Sequence, residues 1–481
     1  MTDIRYVCLS DLHFGAQNSI LSALVKDDVT VDPSTPSAVL ESLVAVLRHL
    51  IAANADQGRK PTLILNGDIL ELALANDNVA LMVLERFLDR VFPPDGNGLF
   101  DDTVMYLPGN HDHHIWETAR ERQYANLLAT LTPDESLPIP WHATRMYAEG
   151  DPRPVPAELL NSLVARRPHQ AGVNFRISYP NLGLLSDDGQ TLVVFHHGHF
   201  IESIYKLMST LKDIIFPGRA KAVDSWDIEA ENFAWIDFFW STLGRSGDVG
   251  AHVGLVYDML QSDAAIEHLA GNVAFSVAAR SPGPAVRRWI TRAILDKGLK
   301  TVLTRVARSE RKTPIAPLSA DAQKGLLAYL AGPLLRQMVA EAHGRPLPTQ
   351  VKFIFGHTHK PFIGTRTVPG YGKPIRVFNT GGWVVDTLQV EPLHGANLAL
   401  VDENMEVACL RLYNQASDPT AYQVHLDDGL PEEQGPFYQR LAELIDAGST
   451  PWTTFSTDVA ALVAERSKAL AKIIADAGQP R

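Results

Sequence analysis

Thiols, long apolar runs and excess positive charge are what this 481-residue chain has least of. Only two cysteines occur, Cys8 and Cys409, each inside an apolar, strand-like stretch. Buried thiols are therefore expected rather than a disulfide, and with them a reducing, cytoplasmic setting. No uninterrupted apolar run reaches the roughly eighteen residues that a membrane-spanning helix needs. The opening "MTDIRYVCLSDLH" has no basic stretch followed by a long apolar one and runs almost at once into a strand, so no cleaved signal is expected. The formal charge of −12 counts against a dominant nucleic-acid-binding surface, because phosphate backbones reward clustered Lys and Arg. No internal repeat and no low-complexity tract is present. With 46% apolar and 20% charged residues, the composition is that of a globular chain with a sizeable core, long enough for one large decorated domain or for two to three smaller ones.

What is present is a rhythm. Short apolar, β-branched runs end in turn signals: "IRYVCLS" before Asp11, "TLILNG" before Asp68, "TVMYLPG" before Asn110, "TLVVFHHG" around His197 and "VKFIFG" before His357. Between the first two, Val39, Leu43, Val46, Leu47 and Leu50 recur at a helical period, which predicts a crossover helix. Strand, helix, strand with polar residues at strand ends is the α/β pattern, in which sites gather beyond the carboxyl ends of strands.

Two long segments interrupt that rhythm. Residues 131–172 are rich in proline and read as an elaborated loop. Residues 200–349 read as a mainly helical insertion, with "FIESIYKLMSTLKDIIF", "ENFAWIDFFWSTL", a run from Val249 to Leu269 and "SADAQKGLLAYLAGPLLRQMVAEAHG". This divides the chain into a discontinuous core (1–199 and 350–430), the insertion or cap (200–349), and two further helices after residue 430. In the insertion, Phe233, Ile236 and Trp240 would share one helix side, with Trp235 and Phe239 on an adjacent one. Such a face suits an acyl chain, a peripheral membrane contact or ordinary packing; the acidic flank "DSWDIEAEN" favours packing, since interfacial helices carry Lys and Arg opposite their apolar side. The basic runs "VARRPHQ" and "RVARSERK", with Arg166, Arg167, Arg305, Arg308, Arg311 and Lys312, suit either a solvated face or an anionic substrate group.

The chemistry lies in the strand ends taken together. "SDLH" supplies Asp11 and His13, "NGDILE" Asp68 and Glu71, "PGNHDHH" Asn110, His111 and Asp112, "HHGH" His196, His197 and His199, and "GHTH" His357 and His359. Singly, each is a turn residue, a helix cap or a packed histidine. Jointly they deliver carboxylate, amide and imidazole donors and no thiolate, a set suited to Mn²⁺, Fe or Zn²⁺ in five- or six-coordinate sites. About seven such ligands are too many for one ion with an open position but suit two that share a carboxylate. Metals about 3.5–4 Å apart activate a bridging hydroxide and stabilise the attacking and leaving oxygens of displacement at phosphorus.

The ordered set D-x-H, G-D-x-x-E, G-N-H-D, H-G and G-H-x-H, from Asp11 to His359, resembles the calcineurin-like metallophosphoesterase superfamily. The resemblance implies a four-layer α-β-β-α sandwich and a two-metal phosphoesterase. It assigns Asp11, His13 and His359 to one ion, Asn110, His197 and His357 to the other, and Asp68 to both, with Mn²⁺ first and Fe or Zn²⁺ as alternatives. It makes His111 the general acid for the leaving oxygen, oriented by Asp112. Glu71, His199 and Asn379, the last in "VFNTGGWV", are expected near the site as supporting or substrate residues, and His196 on the opposite face of its strand. His113 and His114 have no role in that pattern and are expected at the surface of a helix start.

Substrate choice is less tightly specified. "SDLHFG", "GDILEL", "HHGH" and "GHTHKPF" look closest to the branch of UDP-2,3-diacylglucosamine pyrophosphatases, but this chain has G-N-H-D where those enzymes carry arginine, and it is about twice as long. The expectation is a phosphodiesterase or pyrophosphatase of a small or lipid-linked substrate. A nuclease or phosphomonoesterase of the same fold is the alternative, and a non-catalytic protein-binding scaffold comes last because no ligand is missing.

Overall fold

The structure is a computed structural model that describes residues 2–148, 150, 152–216, 218–242, 316–430 and 434–477. In chain order its strands are β1 (Ile4–Leu9), β2 (Ser22–Leu24), β3 (Val31–Pro36), β4 (Thr62–Asn66), β5 (Thr103–Leu107), β6 (Val155–Pro156), β7 (Asn174–Ile177), β8 (Asn181–Leu185), β9 (Thr191–His196), β10 (Gln350–Phe355), β11 (Phe362–Arg366), β12 (Ile375–Asn379), β13 (Gly395–Asp402), β14 (Val407–Asn414) and β15 (His425–Leu426).

Eight strands form one sheet in the order β15-β14-β13-β1-β4-β5-β7-β6, and five form a second in the order β11-β12-β10-β9-β8. The middle of each sheet is parallel: β1, β4, β5 and β7 in the first, β9, β10 and β12 in the second. Parallel neighbours in register end at the same edge, with Leu9 opposite Leu65, Asn66 opposite Leu107, and Phe355 opposite both His196 and Asn379. The reactive loops therefore leave from one rim.

The strands read as unbroken apolar runs because both of their faces are buried. Successive side chains point to opposite faces. Cys8, Ile64, Leu107, Val193, Phe195, Ile354 and Phe378 point inward and make the core between the sheets, while Val7, Leu9, Leu63 and Leu65 pack outward among the helices. Cys8 and Cys409 are both free and buried in this inter-sheet layer.

The crossover helix α1 (Ala38–Ala52) starts where Ser37 accepts a hydrogen bond from the Leu40 amide, and it buries Val39, Leu40, Leu43, Val46, Leu47 and Leu50. Each such side chain contributes roughly 1.5–3 kcal/mol on leaving water. Helices α2 (Asp77–Val91) and α3 (His113–Leu128) follow β4 and β5. The proline-rich segment differs from a plain loop: it contains β6 and helix α4 (Glu158–Val164), because Leu160, Leu163 and Val164 in "ELLNSLV" share a buried side.

After β9, two 3₁₀ turns at His199–Ile201 and Ser203–Lys206 lead into α5 (Leu207–Ile215) and α6 (Ser225–Ile236). A π turn, Asp237–Ser241, continues α6. Ile236 and Trp240 are buried, Trp235 is half-buried against the core, Phe233 lies under the Arg120 guanidinium at 4.8 Å, and Phe238 remains exposed. The expected helix from Val249 to Leu269 and the basic run with Arg305, Arg308, Arg311 and Lys312 lie outside the described residues. Helices α7 (Ala320–Tyr329) and α8 (Leu335–Ala342), joined by a π turn around Pro333, return the chain to β10.

The tail forms α9 (Pro436–Leu444) and α10 (Trp452–Ala477). On α10, the buried Arg466 donates to the carbonyls of Ser19 and Ser22, tying this helix to the loop after β1. None of the described helices is long and apolar enough to cross a membrane.

Candidate metal centre

Asp11 and His13 follow β1, Asp68 follows β4, Asn110 and His111 follow β5, His197 follows β9, and His357 and His359 follow β10. All eight are buried. Their donor atoms converge in two adjoining groups. Asp11, His13 and His359 form one, with His359 Nε2 3.6 Å from Asp11 Oδ1 and 3.3 Å from His13 Nε2. Asp68, His197 and His357 form the other, with His197 Nε2 3.2 Å from Asp68 Oδ2 and from His357 Nδ1, and 3.1 Å from Asn110 Oδ1. Asp68 joins them, since its Oδ2 is also 3.8 Å from His13 Nε2.

The arrangement fits divalent cations on its own terms. Two pairs of imidazole nitrogens face each other, and two buried carboxylates stand among them. Asp11 Oδ2 is buried with no hydrogen-bond partner. Burial alone would raise the Asp68 pKa, yet the neighbouring His197, His111 and His13 hold it well below the usual carboxylate range. Conversely, burial pushes His197 down, but Asp68 raises it to about 9. The cluster draws positive charge to itself, and oxygen and imidazole donors without thiolate suit Mn²⁺, Fe or Zn²⁺.

The backbone is wound to make this convergence. Asp11, His13, Asp68, His357 and His359 all have left-handed φ, between 46° and 71°. Each such residue stores roughly 1–3 kcal/mol of strain, which survives only where surrounding contacts impose it. Part of the imposition comes from glycine. A Cβ on Gly109 would overlap Asp68 Oδ1, and one on Gly356 would overlap Asp11 Oδ2, so only glycine lets these loops pass so close.

Carboxylates hold the histidines from behind. Glu71 Oε2 is 3.0 Å from His13 Nδ1, and Glu71 Oε1 is 2.8 Å from His111 Nδ1 and accepts the amides of Ala73 and Leu74. Asp386 Oδ2 is 2.6 Å from His359 Nδ1, and Glu202 Oε1 is 2.9 Å from His357 Nε2. Such partners fix the tautomer and ring orientation of a ligating histidine. Asp386 and Glu202 went unnoticed in the sequence; an acidic residue after the N-T-G-G-W turn and another just after H-H-G-H were the signals available.

Asp112 does not orient His111, contrary to the expectation. Its Oδ1 accepts the Gly109 amide at 2.6 Å, and its Oδ2 accepts the Ile69 amide at 2.8 Å and the Tyr106 hydroxyl at 2.5 Å. Lying under the loop, it ties the ends of β4 and β5 together, and Glu71 is the side chain on His111. The His111 Nε2 is buried without a hydrogen-bond partner, and His13, Asp68 and His111 also lie close enough to form a donor cluster.

His113 departs further from its expected place at the surface. It is fully buried, with Nε2 2.8 Å from Glu229 and Nδ1 3.4 Å from Asp237, both contributed by the insertion. His114 Nδ1 reaches the same Asp237 at 3.3 Å. Burial pushes His113 down, but Glu229 and Asp237 raise it to about 10. A folded pKa above the ordinary value of 6.5 stabilises the fold fully below pH 6.5, and the contribution disappears as pH rises through about 10. Each unit of that rise is worth about 1.4 kcal/mol. The melting-temperature gap between the wild-type chain and His113→Gln is therefore expected to be several degrees at pH 6 and to shrink toward pH 10; a gap independent of pH contradicts the charge pairing.

The other expected neighbours sort as follows. His199 Nε2 meets the Tyr179 hydroxyl at 3.1 Å, and that hydroxyl donates to Glu229, so His199 belongs to a buried network rather than to the donor cluster. His196 packs its ring against Tyr329, with centroids 4.5 Å apart, on the other side of β9 from the inter-sheet core. Asn379 donates to the Gly356 carbonyl and accepts the Gly381 amide, bracing the G-H-T-H loop. Arg166 and Arg167 pair with Glu85, and Arg167 also with Asp89.

No curated protein matches the chain. Residues 4–223 match the family model of calcineurin-like phosphoesterases, a range that takes in Asp11, His13, Asp68, Asn110, His111 and His197. His357 and His359 reach the same cluster from β10, beyond the matched range. Over residues 4–223 the chain is thus similar to calcineurin-like phosphoesterases, and a domain of that kind indicates a metal-dependent phosphoric ester hydrolase.

Proposed function

We propose that the chain hydrolyses a phosphodiester or pyrophosphate bond in a small-molecule or lipid-linked substrate, with Asp11, His13 and His359 holding one divalent ion, Asn110, His197 and His357 a second, and Asp68 shared between them. The observation that carries this reading is the pair of adjoining donor clusters joined through Asp68, with the unpartnered Nε2 of His111 beside them. When bound, divalent ions in such a site polarise phosphoryl oxygens and lower the pKa of water. His111 then gives the proton on Nε2 to the oxygen that leaves as the P–O bond breaks. Glu71 accepts from Nδ1 throughout and holds the ring in place while it does so.

The core, 1–199 with 350–430, carries this site. The insertion, 200–349, sets substrate access, and the helices of 431–481 brace the loop after β1 through Arg466. The likeness of "SDLHFG", "GDILEL", "HHGH" and "GHTHKPF" to UDP-2,3-diacylglucosamine pyrophosphatases supports the pyrophosphate, while G-N-H-D and the doubled length count against the same lipid substrate.

The deciding experiment screens monoester, diester, cyclic and pyrophosphate substrates with Mn²⁺, Zn²⁺ and Fe²⁺ added separately to metal-depleted protein. Turnover of diesters or pyrophosphates, highest with Mn²⁺, is the expected result. Preference for monoesters overturns the substrate class, and inactivity with every ion overturns the reaction.

A further inference from the structure

The segment His199–Lys206 enters the insertion directly from the H-H-G-H loop, and it is held unusually firmly for two short turns. Helix α7 lies backbone-on-backbone against it: a Cβ on Gly325 would overlap the Ile201 carbonyl oxygen. Asp321 on the same helix accepts from the Ser203 hydroxyl at 2.9 Å. From the other side, Trp235 on α6 donates its indole N–H to the Ile204 carbonyl at 3.0 Å, and Asn232 accepts the Met208 amide at 2.9 Å. Two elements of the insertion thus clamp a segment from which Glu202 and Tyr205 reach the cluster. Tyr205 sets its ring edgewise on His357 at 5.0 Å, and Glu202 brings Oε1 to 2.9 Å from His357 Nε2.

An imidazole has two nitrogens and, when neutral, one proton. The charge of a carboxylate oxygen 2.9 Å from Nε2 favours the proton on that nitrogen, which leaves the lone pair of Nδ1 facing His197 Nε2 at 3.2 Å inside the Asp68 cluster. Without the carboxylate, either nitrogen could carry the proton and the ring could turn. We propose that Glu202 is a positioning residue for the metal centre: it fixes His357 with Nδ1 toward His197 and Asp68, so that the insertion, through this one carboxylate, sets the affinity of the site for its cation. This inference rests on the proposed metal centre.

The test uses the full-length chain, stripped of metal and titrated calorimetrically with Mn²⁺ and separately with Zn²⁺. Glu202→Ala is expected to weaken cation binding about 10–100-fold, the usual cost of losing a carboxylate behind a ligating histidine, with the metal-free melting temperature close to wild type. Glu202→Gln keeps the shape and an accepting oxygen but not the charge, and it is expected to fall between Ala and wild type. Should the alanine variant not fold, the glutamine variant decides: weakened binding at unchanged metal-free melting supports the proposal, and unchanged binding overturns it. Asp68→Ala separates this inference from the reading beneath it. If Asp68→Ala loses the cation while both Glu202 variants keep wild-type affinity, Glu202 has no such role. If Asp68→Ala also binds normally, the metal centre itself is wrong. Equal loss in both Glu202 variants together with a lowered metal-free melting temperature reduces Glu202 to a packing role and likewise overturns the proposal.

Discussion

Asp68→Ala is expected to lower turnover of a chromogenic phosphodiester by about 10³-fold or more, and to lower bound metal with it. The carboxylate groups with His197 and His357 on one side and with His13 and His111 on the other, and it stands fully buried among them. Removing it takes away the negative charge that draws cations in, together with the acceptor of the His111 amide at 2.8 Å. A loss of several kcal/mol of transition-state stabilisation corresponds to that factor, since each 1.4 kcal/mol or so is tenfold. Bound metal, measured by elemental analysis, and turnover should fall in parallel. Full activity at unchanged metal content would dismiss the assignment.

The second large effect separates proton donation from metal binding. His111→Ala is expected to cost about 10²–10⁴-fold in turnover, the range for general acid catalysis, while the cation stays bound with near wild-type affinity. The ring stands on Glu71, and its Nε2 has no protein partner. The loss should depend on the leaving group: substrates whose alcohol leaves as a stable anion need little protonation and should be spared, whereas poor leaving groups should suffer most. A uniform loss across leaving groups, or loss of metal in parallel, would make His111 a ligand instead of an acid.

Much of this was readable in the residues. Strands buried on both faces appear as continuous apolar runs, so "TLILN" and "KFIF" announced the α/β class and put Asp68 and His357 at strand ends. That Asp11, His13, Asp68, His197, His357 and His359 belong together was legible in the joint pattern of donors at strand ends and in the family resemblance, and the structure brings them together. What stands behind them does need it. Glu71 and Asp112 are both acids near His111, and only the path of the loop makes Glu71 the one that touches its ring while Asp112 turns to backbone amides. His113 is buried by Glu229, 116 residues away in sequence, a pairing that no local pattern announces. Glu202 and Asp386 were hidden for the same reason. Helix α4 escaped notice because prolines on either side masked a short run of buried leucines.

The left-handed turns at Asp11, His13, Asp68, His357 and His359 bear on how variants of this chain should be judged. At these five positions glycine or asparagine would sit more comfortably than the native side chain, so relaxing the backbone and keeping the donor atoms are opposed aims. Selection for heat tolerance alone would drift toward chains that melt later and have lost the donors. A library built on this scaffold therefore needs cation binding, not melting temperature, as its first sieve.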